Sequence, residues 1–160
     1  MLQEQTTLAF DKKFTRKLKI AIVRANYHAN LVTNLESYAR MTLTNAGVSE
    51  KNVTTVTVPG TWEIPIVVQK LAETKKFHGV ITLGVIVKGE TFHFELIANE
   101  VTSALMELSI QNHIPIAYEV LAVSDLKHAH VRAGVDTHNK GIEAANAVLQ
   151  TLQVLHKIKK

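Results

Sequence analysis

The sequence contains no cysteine and only three prolines and seven glycines among its 160 residues. The absence of thiols excludes disulfides, a thiolate nucleophile, zinc–thiolate sites and iron–sulfur clusters. Few prolines and glycines, with 20% well-mixed charged residues, argue against a disordered or fibrous chain. No apolar run approaches the ~20 residues of a membrane-spanning helix. What remains is a globular domain, because 46% of the residues are apolar and a chain of this length buries ~70% of its unfolded surface.

The N-terminal residues lack a basic stretch followed by an apolar run, so we expect no secretion signal and a cytoplasmic location. The net charge is +4, and part of the surplus lies in two clusters near the chain ends. These clusters carry no interleaved aromatic platform, and no recognisable nucleic-acid-binding module accompanies them. We therefore interpret them as solvated surface and predict neither nucleic acid nor membrane as a partner. The clusters consist of Lys12, Lys13, Arg16, Lys17, Lys19 and of Lys157, Lys159, Lys160.

Short runs of apolar and β-branched residues alternate along the chain with segments of helical periodicity. Residues 1–16 are polar and aperiodic, which predicts a flexible tail, and residues 17–160 are predicted to form a single domain. This alternation is typical of a parallel sheet between two layers of helices. Strands are predicted at 18–23, 52–58, 79–87 and 116–123, and helices at about 31–45, 63–74, 94–112, 126–133 and 140–158.

Chemically versatile side chains follow the predicted strands. In parallel α/β sheets, ligands bind outside the carboxyl ends of the strands, where this sequence collects aromatic rings, a carboxylate, a histidine, a glycine turn and cations. That inventory indicates a polar small-molecule site that tolerates an anion. The residues are Tyr27 after the first strand, Trp62 and Glu63 after the second, residues 89–93 after the third, and Arg132 and Lys140 beyond the fourth.

The turn at residues 89–93 leads from a strand into a helix. Its exposed N–H groups and the positive end of the helix can hold a phosphate, with Arg132 as a bidentate clamp; the alternative is an ordinary connecting turn. His93 can transfer protons near neutral pH, although a lone histidine there also serves as a helix cap or a buried side chain. The sequence leaves both alternatives open.

Two further interpretations stay open for the carboxylate and the aromatic residues. Glu63 either caps the helix that it opens or accepts hydrogen bonds from ligand hydroxyls. Tyr27, Trp62 and Tyr118 are either core residues or a platform for a flat heterocycle. The sequence lacks the glycine motifs of dinucleotide and nucleoside triphosphate sites.

Three histidines in the C-terminal third do not form a recognisable metal site. His128 and His130 lie one residue apart, which is poor spacing for one face of a helix, and His138 follows at a distance. No carboxylate or cysteine completes a ligand set, so we predict no metal.

Several blocks of the sequence resemble the 6,7-dimethyl-8-ribityllumazine synthase family from about residue 19 to the C-terminus. The middle block, with its glycine turn and histidine, is the most specific. The resemblance implies a flavodoxin-like α/β fold, a three-layer sandwich with a four-stranded, mainly parallel sheet of order 2-1-3-4 and helices on both faces. The blocks are VPGTWEIP at 58–65, LGVIVKGETFHF at 83–94, Arg132-Ala133-Gly134 and Asn139-Lys140-Gly141.

The family resemblance also implies an activity. The enzyme, a transferase, condenses 5-amino-6-(D-ribitylamino)uracil with 3,4-dihydroxy-2-butanone 4-phosphate in the penultimate step of riboflavin biosynthesis, with no cofactor. The active site is expected between adjacent subunits of a pentamer, which pairs into a decamer or closes into an icosahedral shell in some members. Riboflavin synthase is a candidate partner.

The same resemblance assigns roles to residues of this sequence. His93 is the expected proton shuttle. Gly89, Glu90, Thr91 and Phe92 form the phosphate turn, with Arg132 from the neighbouring subunit. The residues expected to bind the pyrimidine ring and the ribityl chain are Tyr27, Thr61, Trp62, Glu63, the backbone of Val85, Ile86 and Val87, and Tyr118 and Lys140 from the neighbouring subunit.

The sequence departs from the family pattern at a few positions. Residues 26–28 read Asn-Tyr-His where an Arg-Phe-Asn-like triplet is usual, Asp136 replaces a common lysine, and residues 118–119 read Tyr-Glu in place of Phe-Gly. These departures keep alternative hypotheses in view: a divergent paralogue that binds flavin or lumazine with weak or no catalysis, and a purely structural shell protein. The polar residues at the strand ends argue against the shell protein, which needs no histidine beside a phosphate turn.

Overall fold

In a computed structural model that describes residues 8–159, the chain forms a four-stranded sheet covered by helices on both faces. The strand order is β2-β1-β3-β4, and all three neighbouring pairs are parallel. The predicted α/β class and strand order are thereby confirmed, with a wholly parallel sheet. The strands are β1 (Ile20–Ala25), β2 (Val53–Val58), β3 (Gly79–Val87) and β4 (Ile116–Val123).

Six helices connect and flank the strands in the described part of the chain. Those predicted from periodicity lie within two residues of their expected bounds, and side chains cap two of them: Asp125 accepts from Lys127 N, and Asn139 accepts from Gly141 N. None of the described helices is both long and apolar enough to cross a membrane. The helices are α1 (Lys12–Thr15), α2 (Ala29–Asn45), α3 (Ile64–Glu73), α4 (His93–Asn112), α5 (Leu126–Arg132) and α6 (Lys140–Ile158).

Two hydrophobic clusters lie on opposite faces of the sheet. Successive side chains of a strand point to opposite faces, so β1 sends Ile20 and Ile22 into the cluster with α2 and α6, and Ala21 and Val23 into the cluster with α3 and α4. The central strands must therefore be apolar at nearly every position. This requirement explains the continuous apolar run of β3.

The packed domain begins earlier than the predicted boundary at residue 17. Helix α1 starts after Asp11, whose side chain accepts a hydrogen bond from Lys13 N. Thr15 is fully buried, and its hydroxyl donates to the carbonyl of Ala46 at 2.6 Å. The tail prediction is therefore wrong for residues 11–16, because a four-residue helix is too short to show a period; residues 1–7 of that tail lie outside the described residues.

The N-terminus of α6 crosses α2 at very short range. A Cβ atom built on Gly141 would lie 2.0 Å from the carbonyl oxygen of Leu35 and 3.0 Å from the amide nitrogen of Ala39. Both are backbone atoms, so neither helix can yield without moving as a whole. Only glycine fits at this crossing.

We expect Gly141→Ala to lower the free energy of unfolding by about 3 kcal/mol, since overpacking against backbone cannot relax locally. Gly89→Ala is the matched control, because a Cβ there meets no atom within 4 Å. Urea denaturation of both variants measures the difference. Equal stability of Gly141→Ala and the wild type would contradict the close crossing.

Candidate active site

A cleft of about 770 Å³ opens beyond the carboxyl ends of β1, β2 and β3. Its walls come from four separate stretches of chain, which the parallel sheet aligns at one edge. This is where the sequence predicted a site, and ten predicted residues line the cleft. They are Tyr27, Thr61, Trp62, Glu63, Val85, Ile86, Val87, Gly89, Thr91 and His93.

Two aromatic rings at the mouth of the cleft face solvent. Tyr27 is 69% exposed and Trp62 is 57% exposed, so neither is a core residue in this chain. Tyr27 lies between β1 and α2, where His28 adopts a left-handed backbone with φ of 54°. This conformation is unusual for a residue with a side chain, and it brings the His28 ring edge-on to Tyr27, with centroids 4.9 Å apart. The Tyr27 and Trp62 rings are thus both available to a ligand.

The carboxylate of Glu63 has a structural contact and also lines the cleft. Its Oε2 accepts a hydrogen bond from Gly60 N at 2.9 Å, which holds the turn that follows β2. This bond closes the turn that precedes α3, but the Glu63 side chain makes no capping hydrogen bond to α3 itself. The bond to Gly60 does not exclude the ligand-binding interpretation, because a carboxylate has room for several further hydrogen bonds.

The Thr61 hydroxyl is a buried polar group without a partner. The residue is 4% exposed, and its Oγ1 has no hydrogen bond among the described residues. A Cβ on Gly84 would lie 2.9 Å from this oxygen, so the glycine of β3 makes room for it. An unsatisfied buried hydroxyl in a cleft wall is a hydrogen-bonding group that a ligand can use.

The turn between β3 and α4 places His93 at the first position of α4, beside the cleft. Gly89 and Thr91 also line the cleft, next to the positive end of a twenty-residue helix. Two of the predicted turn residues do not line the cleft: Glu90, which is exposed, and Phe92, which is 82% exposed.

Three predicted residues lie away from this cleft. Arg132 lines a separate cavity of about 280 Å³ along β4, where its guanidinium donates to the carbonyl of His128 at 3.1 Å. Tyr118 lies on β4 and is 37% exposed. Lys140 pairs with Glu143 on α6. A single chain therefore does not bring these side chains to the cleft.

Four lining residues were missed at the level of sequence: Gly60, Phe94, Leu96 and Ile97. Helical spacing contained a signal for two of them. Leu96 and Ile97 follow His93 by three and four residues, so all three share one face of α4. The apolar side chains of Leu96 and Ile97 form part of the cleft wall next to His93.

Glu119 is a largely buried carboxyl group on β4. It shares a face of the strand with Ala117 and Leu121, which belong to the cluster packed against α6. Burial and, to a lesser extent, the neighbouring charge of Glu143 raise the pKa of Glu119 to about 8, against the opposing effect of Lys140. This position is one of the departures from the family pattern seen in the sequence.

A parallel sheet of order 2-1-3-4, with helices on both faces and a cleft at its carboxyl edge, defines a flavodoxin-like protein that binds a small molecule. Residues 17–156 match the model of the 6,7-dimethyl-8-ribityllumazine synthase family. The chain belongs to this family.

Relatives that carry the name 6,7-dimethyl-8-ribityllumazine synthase match over nearly the whole chain. The protein of Blochmanniella pennsylvanica is 39% identical over 144 residues, which is 89% of this chain and 90% of the relative. Those of Nitratidesulfovibrio vulgaris strain Miyazaki F and Leuconostoc mesenteroides are 37% and 36% identical over 141 residues, covering 88% of this chain and 90% of each relative.

The Glu119 carboxyl predicts a stability that depends on pH. The folded chain keeps this proton up to a pKa of about 8, whereas the carboxyl has an ordinary value of 4.5. The folded state thus binds more protons between these values, and stability falls as pH rises through this window. We expect the free energy of unfolding of the wild type to fall by roughly 2–4 kcal/mol between pH 5 and pH 9, and Glu119→Gln to abolish this fall.

Urea denaturation at pH 5, 7 and 9 measures this effect. Glu100→Gln, at an exposed position of α4, is the control and should retain the wild-type pH dependence. The same pH dependence in Glu119→Gln and in the wild type would show that Glu119 is not the responsible group.

Proposed function

We propose that this chain condenses 5-amino-6-(D-ribitylamino)uracil with 3,4-dihydroxy-2-butanone 4-phosphate to 6,7-dimethyl-8-ribityllumazine, in the penultimate step of riboflavin biosynthesis. The observation that carries the proposal is the single cleft that joins exposed Tyr27 and Trp62 rings to the glycine turn and His93. Family membership and the names of the relatives support it. The cleft has the size of a small-molecule site, for which ~300–1,000 Å³ is usual.

The pyrimidine substrate occupies the aromatic side of the cleft. Tyr27 stacks on the flat ring, and the backbone of residues 85–87 reads its polar edge, since the end of β3 lies in the cleft wall. The ribityl hydroxyls meet Thr61, whose buried oxygen has no protein partner, and Glu63. Pairing these groups gives specificity, because a ligand lacking the hydroxyls leaves them desolvated and unbonded.

The phosphorylated ketone occupies the turn between β3 and α4. The N–H groups of this turn and the positive end of α4 attract the phosphate. Arg132 supplies the counter-charge from an adjacent subunit, since in its own chain it lies in the separate cavity along β4. A guanidinium is suited to this contact, because it binds phosphate through two parallel hydrogen bonds.

The chemistry joins two molecules and releases phosphate and two waters. The 5-amino group attacks the ketone carbon, and the carbinolamine loses water to form an imine. Loss of the C3 proton then expels phosphate from C4 and leaves an enol, which tautomerises to a methyl ketone at C3. The ribitylamino nitrogen closes the ring onto this new carbonyl, with loss of the second water. Holding both substrates in contact removes association entropy worth up to ~7–11 kcal/mol. His93, which lies between the two subsites, carries protons to the leaving oxygens.

Assembly completes the site. Helix α4 has only two fully buried residues, Val101 and Leu105, while Leu96, Met106 and Ile110 are 58–65% exposed. Exposed apolar surface on this scale marks an interaction surface. We propose a pentamer in the cytoplasm, with decamers or an icosahedral shell as higher assemblies and riboflavin synthase as a candidate partner.

Purified protein mixed with both substrates should form the lumazine, detected by its absorbance and fluorescence. The reaction needs no added metal or organic cofactor, and omitting either substrate is the control. Tight binding of lumazine without its formation would contradict the proposal and favour a non-catalytic paralogue.

His93→Ala should lower kcat by about 10- to 100-fold without abolishing turnover, since a positioned proton carrier contributes ~10²–10⁴-fold and substrate alignment persists. Steady-state kinetics with KM for each substrate measures the effect, and exposed His130→Ala on α5 is the control. An unchanged kcat would remove His93 from the chemistry.

Arg132→Ala should raise the KM for the phosphorylated ketone by about 10- to 100-fold, the value of a charge-assisted pair of hydrogen bonds.

Because Arg132 acts on the cleft of a neighbour, dissociating and reassembling His93→Ala and Arg132→Ala chains together should restore roughly a quarter of the sites. Activity no higher than the sum of the two variants would contradict a shared site, as would sedimentation only at the 17.7 kDa of one chain.

A further inference from the structure

The turn that carries the phosphate subsite has few internal contacts. Residues 89–92 are all exposed, and a Cβ on Gly89 would meet nothing within 4 Å. The backbone bonds nearest the turn lie at its ends: Lys88 N donates to the carbonyl of Val123 at 2.9 Å, and Leu96 N donates to the carbonyl of Phe92 at 3.1 Å. Within residues 8–159, the N–H groups of residues 89–92 have no acceptor. They are free for a ligand, but their arrangement depends on how the ends of the turn are held.

One ion pair connects the two ends. Lys88 follows β3 directly, Glu95 lies in the first turn of α4, and the Lys88 Nζ atom is 2.8 Å from Glu95 Oε1. The other carboxylate oxygen of Glu95 has no contact with solvent and no hydrogen bond within the described chain. The lysine is thus the side-chain partner of a partly desolvated carboxylate, and its hydrogen bond lowers the pKa of Glu95.

Neither member of the pair lines the cleft. The ammonium group of Lys88 is paired with Glu95 at 2.8 Å, and both side chains stay partly exposed. Lys88 is therefore not among the residues that line the cleft. Its pair with Glu95 links the end of β3 to the start of α4.

We propose that Lys88 and Glu95 are positioning residues, which hold the turn in the shape that presents its N–H groups to the phosphate ester. This inference rests on the proposed function and deepens it. A turn whose ends are fixed loses less conformational entropy when the phosphate binds. Binding is therefore tighter than to a turn that must first be ordered. The pyrimidine subsite lies on other loops and does not depend on this pair.

The test is kinetics on the full chain with Lys88→Gln, Glu95→Gln and the double variant. Each single variant should raise the KM for the phosphorylated ketone about three- to fivefold, the upper range for a partly exposed ion pair. The KM for the pyrimidine and kcat should stay within about twofold, since those groups are untouched. The double variant should be no worse than the singles, because the two side chains act as one unit, and Lys88→Arg should retain the wild-type KM.

Lys70→Gln is the matched control. It breaks an exposed ion pair with Glu73 on α3, with the two charged atoms 3.2 Å apart, and α3 residues beyond its first turn do not line the cleft. Its KM values should equal those of the wild type. A lower melting temperature of Lys88→Gln and Glu95→Gln with unchanged KM would mean that the pair only stabilises the fold, and would overturn the proposal.

Calorimetric titration with inorganic phosphate separates this inference from the proposed function. The wild type should bind phosphate, and the single variants should bind it about three- to fivefold more weakly. If the wild type binds phosphate and the variants lose affinity while no lumazine forms, the function is wrong and the positioning role stands. If lumazine forms but neither KM nor phosphate affinity changes in the variants, the positioning role is wrong. Absence of phosphate binding by the wild type would also overturn it.

Discussion

Burial of β1 and β3 on both faces is the constraint from which the rest of this structure follows. A strand covered twice must be apolar along its length, and helices must lie on each side to cover it. Parallel pairing then sends every connection back across a face of the sheet, so the carboxyl ends of all four strands meet at one edge. Residues that follow β1, β2 and β3 line the cleft, together with the end of β3.

Under the proposed function, the cleft of one chain is half of the active site. Its aromatic rings, the Thr61 hydroxyl and His93 come from the loops after β1, β2 and β3, whereas Arg132 lies beyond β4 in a cavity of its own. β4 is the edge strand beyond β3, and no residue after it lines the cleft. If an adjacent subunit supplies the counter-charge, as we propose, activity depends on assembly, and the exposed apolar side of α4 gains a functional role.

Periodicity predicted the bounds of the long elements closely. β3, β4 and α6 agree to the residue, because each is long and either apolar throughout or strictly amphipathic. The four-residue α1 escaped prediction, and so did the burial of Thr15, because too few residues are involved to produce a pattern. Among the residues predicted for the site, most of those in the loops after β1, β2 and β3 line the cleft, whereas the cleft-lining Leu96 and Ile97 were taken only as part of a helix.

The amino-acid sequence by itself determined the class of fold, the order of elements and the edge of the sheet where the cleft opens, because these depend on local patterns of apolar and polar residues. Only the tertiary structure decided that Glu63 already holds Gly60, that Thr61 has no partner and that Lys88 meets Glu95 across the turn. These facts depend on distances between side chains that no local pattern encodes. The physical reason is that hydrogen bonds and ion pairs act over about 3 Å, whereas sequence patterns fix only which face of an element a residue occupies.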